Sequence, residues 1–162
     1  MSQHVDATGP DALSIITHGT RACSGATTTS TVSPAVDPST VVGTLGDLGI
    51  AITNAVDAFE ADADVLEPGE VRVGIDSLCP LLEEYDHRQV FKFLHLINGR
   101  TQEADGMAHS HLPIERDARI VPTLSLPFDV VVEMREHGGN YQERWVINDG
   151  ADSSGWLSER PE

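Results

Sequence analysis

The residues best suited to chemistry are Asp76 and Ser77, which follow the strand-like segment Val71 to Ile75, and His109 and His111, which alternate within Met107 to Leu112. An aspartate at the exit of a buried strand is where P-loop nucleoside triphosphatases hold Mg²⁺, directly or through water. Histidines two apart on a strand face the same side. With Asp76 on a parallel neighbour, they form a candidate metal or proton-transfer site. Each feature also has an ordinary account. Acids commonly cap strand exits, Ser77 suits the start of a helix, and strand histidines make surface hydrogen bonds. For the two histidines the ordinary account is preferred, because no third ligand is spaced to help them. His95, on an apolar helix, reads as a satisfied core or boundary histidine.

Phosphate chemistry needs a strand, a glycine loop and a helix N-terminus in succession. The chain contains no G-x-x-x-x-G-K-[ST] string; its glycine and Thr/Ser cluster, Gly19 to Ser30, has no lysine, and the only lysine, Lys92, falls in a predicted helix. ATP hydrolysis by this chain alone is therefore not expected, and Mg-ATP enters only if a partner supplies the phosphate loop. Ser77 is not set up as a nucleophile either. Its surroundings, Gly74-Ile75-Asp76-Ser77-Leu78, lack the second glycine of a nucleophile elbow. No catalytic residue is assigned. Glu83, Glu84 and Asp86 read as an acidic cluster ahead of a helix, complementing its dipole.

The charge balance excludes other functions. Twenty-six acidic residues against ten basic ones give a net charge of −16, and nine of the ten basic residues are arginine. Such a polyanion repels phosphate backbones and anionic lipid surfaces, so neither nucleic acid nor a membrane is an expected partner. Dense carboxylates with little lysine suit a protein kept hydrated in concentrated salt, where screening removes most of their mutual repulsion. Met1 to Pro10 is too polar for a signal peptide, and nothing approaches the roughly 18 consecutive apolar residues of a membrane span. Cys23 and Cys79 lie far apart and read as free thiols in a reducing cytoplasm.

These residues need elements to hold them. Ala12 to Thr17 reads as a strand and Arg21 to Thr40 as a long irregular connection. Leu45, Leu48, Ile52, Val56 and Phe59 recur at helical spacing, with Thr44 and Asp47 as an N-cap pair, and predict a helix over 44–61. Val71 to Ile75 is the next strand. Asp86 and Gln89 cap a helix from His87 to Ala104 whose wide apolar surface predicts deep burial. Met107 to Leu112 is a strand, Asp117 to Leu126 a short helix kinked at Pro122, and Asp129 to Arg135 pairs with Tyr141 to Ile147 over His137-Gly138-Gly139-Asn140. The alternation predicts one α/β domain over 11–149: a mainly parallel sheet flanked by helices and closed by an antiparallel hairpin. A disordered tail is expected at 1–10 and a polar tail at 150–162. Ligands of such sheets bind at the carboxyl ends of the strands, which directs attention to Asp76.

The stretch VRVGIDSLCPLLEEYDHRQVFKFLHLINGRTQEADGMAHSHLP, followed by FDVVVEMRE, resembles the second half of RecA/KaiC-like ATPase domains, most closely a haloarchaeal group of uncharacterised function. The resemblance covers about residues 10 to 150 and implies a RecA-like sheet. It implies that Asp76 occupies the Walker B position, with Ser77 beside it, and that His109 and His111 lie on the strand leading toward the γ-phosphate region. The P-loop strand and its helix have no counterpart here. The resemblance therefore implies a non-catalytic, degenerate domain, regulatory or signalling in role, that acts through a protein partner or as a homo-oligomer. Its rivals are a nucleotide-binding subunit using a partner's P-loop, and a metal-binding domain.

Overall fold

The computed structural model describes residues 13–19, 40–63, 65–147 and 150–158. The chain divides into two compact units, Met1–Leu112 and Pro113–Glu162.

In the first unit, strand β1 (Ile16–His18) pairs in parallel with β2 (Thr40–Val42). Regular pairing starts later than the ALSIIT run predicts, and β2 was not foreseen at all. Most of the expected connection, the expected tail at 1–10 and Cys23 lie outside the described residues. Helix α1 (Leu45–Asp62) starts where the capping pattern places it: Thr44 Oγ1 accepts the Asp47 amide at 3.1 Å and donates to Asp47 Oδ2 at 2.7 Å. Leu45, Leu48, Ile52 and Val56 form its buried face.

Strand β3 (Arg72–Ile75) pairs in parallel with β4 (Met107–Ser110), Arg72 opposite Met107 and Gly74 opposite His109. Between them lie two helices where the sequence suggested one. Helix α2 (Cys79–Glu84) carries Pro80 in its first turn, where a missing amide is tolerated, and buries Leu81. Glu83 and Glu84 thus close α2 and do not simply lead into the following helix. Helix α3 (His87–Glu103) has the full capping box: the Gln89 amide donates to Asp86 Oδ1 at 2.9 Å, and the Asp86 amide donates to Gln89 Oε1 at 3.2 Å. Val90 and Leu94 are fully buried, with Phe93 and Ile97 beside them, but Leu96 is 70% exposed, so the apolar surface is wider than the core. Arg100 bridges the helix pair, donating to Asp57 at 2.6 Å and to Glu60. These bonds outweigh desolvation and raise its pKa, so it stays charged. Val56 of α1, Val71 and Ala104 form the core under β3, with Phe59, Leu66 and Val73 against it.

In the second unit, Pro122 sits in the first turn of α4 (Val121–Ser125) and starts the helix there, in place of the kinked helix expected from Asp117. Strands β5 (Val130–His137) and β6 (Asn140–Ile147) form the expected hairpin. Its two-residue turn has Gly138 and Gly139 at φ of 60° and 79°, the positive angles that a twist-matched tight turn requires. The hairpin forms a sheet of its own and does not close the parallel strands. The polar tail expected from residue 150 instead supplies β7 (Asp152–Ser153) and β8 (Leu157–Ser158), both paired with β6. Trp156 anchors this return, its ring 3.8 Å from the Arg135 guanidinium and 4.8 Å from that of Arg144.

Candidate functional site

The carboxyl ends of β3 and β4 are tied together: the Leu78 amide donates to the His111 carbonyl at 2.9 Å, and the His111 amide to the Ile75 carbonyl at 3.0 Å. Asp76 is exposed at this exit. Ser77 Oγ accepts the Cys79 amide at 3.3 Å, which satisfies a free donor in the first turn of α2. The helix-starting role read from the sequence is the one it fills. His109 and His111 come together, ring centroids 5.8 Å apart and tilted by 46°, and both are exposed. Among the described residues no three His, Cys, Asp or Glu side chains are grouped to hold a metal, so Asp76 does not complete a site with the two histidines. Gly74 explains part of their placement. A Cβ there would stand 2.8 Å from the His109 ring, so the imidazole covers the bare backbone of the opposing glycine. His95 is not at a core boundary; it is exposed and stacked on Phe91 at 6.3 Å.

The feature that sequence reasoning missed is a groove of about 1180 Å³ between β1, α1 and β3. Leu48, Ile52, Ala55 and Phe59 of α1 form its apolar floor, and Asp76, Glu83 and Glu84 also line it. His18 Nε2 lies 3.2 Å from the Tyr85 hydroxyl, the rings meeting edge to face. Among the described residues, His18 Nδ1 and Glu84 Oε2 are buried without a hydrogen-bond partner. Unpaired buried polar atoms are rare in native structures. The only local signals were a histidine at the end of an apolar run and a tyrosine after two glutamates.

The second unit carries a different kind of surface. Val130, Val132 and Met134 of β5 share a sheet face with Tyr141, Trp145 and Ile147 of β6 by register, and all are exposed, Met134 by 77%. The opposite face pairs Val131 with Val146 and, beside them, Glu133 with Arg144. Glu133, only 8% exposed, accepts from Arg116 and from Arg144, whose Nε lies at 3.1 Å. Burial pushes its carboxyl up, but the two guanidiniums together outweigh that and hold it below its ordinary value of 4.5.

Fold and site define a mixed α/β protein with small parallel sheets, an acid at a strand exit and a separate antiparallel sheet. Residues 2–134 match the model of a family of unknown function, DUF7504, and the chain belongs to that family. No curated protein matches it. Among the described residues, no helix is long and apolar enough to cross a membrane.

Proposed function

We propose that this chain is a RecA/KaiC-like domain of a halophilic archaeon that works in the cytoplasm through protein contacts, in regulation or signalling, with no catalysis of its own. One observation carries the reading: the exposed apolar face of the β5–β6 sheet on a chain of net charge −16. A highly charged surface that keeps six large apolar side chains on one sheet face, interleaved only with Glu136 and Glu143, is built to bind another protein. The sequence resemblance and the parallel β3–β4 pair with an acid at its exit support descent from a RecA-like ancestor. The test is mass measurement by light scattering and pull-down in molar salt, with Met134→Arg and Trp145→Arg as controls. A partner or second copy lost in both variants is expected. A stable monomer that captures nothing would sink the reading.

Asp76 keeps one rival in play, because its exposed carboxylate is free to meet a Mg²⁺-bound nucleotide whose phosphates a partner cradles. Titration with Mg-ATP, alone and with a P-loop paralogue, decides between the two. Micromolar binding that disappears in Asp76→Ala would favour the rival.

A further inference from the structure

We propose that the groove between β1 and β3 accepts an extended strand from a partner protein, carrying alternating apolar side chains and a lysine or arginine at the end that reaches Glu84. Six consecutive residues, Leu13 to His18, and seven, Val71 to Ser77, line the groove. A strand that lined it with one face would contribute every second residue; unbroken runs mean that both strands present their edges.

The ladders say which backbone groups those are. The Gly19 amide donates to Val42, so Thr17 and Gly19 face β2, and the amides and carbonyls of Ile16 and His18 point the other way. The Met107 and His111 amides donate to Val71 and Ile75, so Arg72 and Gly74 likewise point away from β4. Among the described residues neither edge has a further partner strand. Edges with unpaired amides and carbonyls beside an apolar floor are the template for strand addition. Charge decides the polarity of the guest. Asp76, Glu83 and Glu84 line the groove, and among the described residues Glu84 Oε2 is buried without a donor, so a basic head group satisfies what these residues leave open.

The groove shares no residue with the apolar sheet face of the C-terminal unit, so the two surfaces can fail independently. The probe is the labelled synthetic peptide Thr-Val-Thr-Val-Thr-Val-Arg, titrated against the full chain by fluorescence anisotropy in molar salt. Binding is expected, weakened about tenfold when the terminal arginine is replaced by glutamate or when Glu84→Gln is used. Because both edges are engaged, N-methylating either alternate set of peptide amides is expected to abolish binding. Hydrogen exchange at Ile16, His18, Arg72 and Gly74 should slow on saturation. Ala55→Trp, which fills the floor, should lose binding with an unchanged far-ultraviolet melt. Binding indifferent to N-methylation, or no binding at all, overturns the proposal. So does free protein in which those four amides are already protected, since the chain's own residues would then cover the edges.

Discussion

The imidazole of His109 lies over Gly74, its direct partner across the β3–β4 pair, so that a Cβ on residue 74 would stand 2.8 Å from Cε1 and Nε2 of the ring. The ring is the far end of an exposed side chain and can swing aside. In a His109→Ala background, Gly74→Ala should stabilise the chain by about 0.5 kcal/mol through lost unfolded-state entropy. In the parent the gain should vanish, a coupling of about 0.5–1 kcal/mol in a urea double-mutant cycle. Equal effects in both backgrounds would show that the ring does not guard the glycine.

Gly106 is the contrasting case. A Cβ there would meet the Val71 carbonyl oxygen at 2.8 Å and the Thr101 carbonyl oxygen at 3.0 Å. Neither is a flexible side-chain end, and the Val71 oxygen also accepts the Met107 amide that opens the β4 ladder. Gly106→Ala should therefore cost at least about 2 kcal/mol. Shortening Thr101 to serine should not restore it. The helix signal at 222 nm against urea measures both.

Helix α3 sets two leucines against each other. Leu94 is fully buried and Leu96 is 70% exposed. Leu94→Ala should cost about 3 kcal/mol, with transfer and cavity effects acting together, while Leu96→Ala should stay within about 0.5 kcal/mol. Comparable losses would mean that a surface covering Leu96 had been broken.

Glu133 makes the C-terminal unit acid-sensitive. Its folded pKa is lowered by Arg116 and Arg144 against the opposing effect of burial. The unfolded chain therefore takes up a proton first. The ion-pair contribution is present above the unfolded value, near 4.5, and is lost as pH falls through the lower folded value. Fluorescence of Trp145 and Trp156, the chain's two tryptophans, both in this unit, should report loosening below about pH 4.5. Glu133→Gln should cost about 1–2 kcal/mol, less than a fully buried pair because both arginines keep access to water, and should flatten that acid limb. An unaltered limb would assign it to other carboxylates.

The match between residues and elements follows the range of the interactions that fix them. Thr44 with Asp47, Asp86 with Gln89, and Gly138-Gly139 are each closed by contacts within a few residues. Their helices and hairpin were therefore readable along the chain. Pro122 shows the limit of that reading: the same ring that breaks a helix interior begins a helix in its first turn, and the neighbours that choose between the two, buried Val121 and Leu124, are a matter of packing. Helix α2 was missed because six residues are too few to show a period.

The sequence by itself determined the net charge of −16, the lack of a lysine-bearing phosphate loop within these residues, and the caps and apolar faces of α1 and α3. Those properties are sums or short-range patterns. Tertiary structure decided the rest. It divided the chain after Leu112, set His109 against Gly74, and folded the residues after 150 onto β6 around Trp156. It also opened a groove between β1 and β3, strands more than fifty residues apart. Which edge stays unpaired depends on which strands meet, and that is settled by long-range burial and hydrogen bonding that no local spacing encodes.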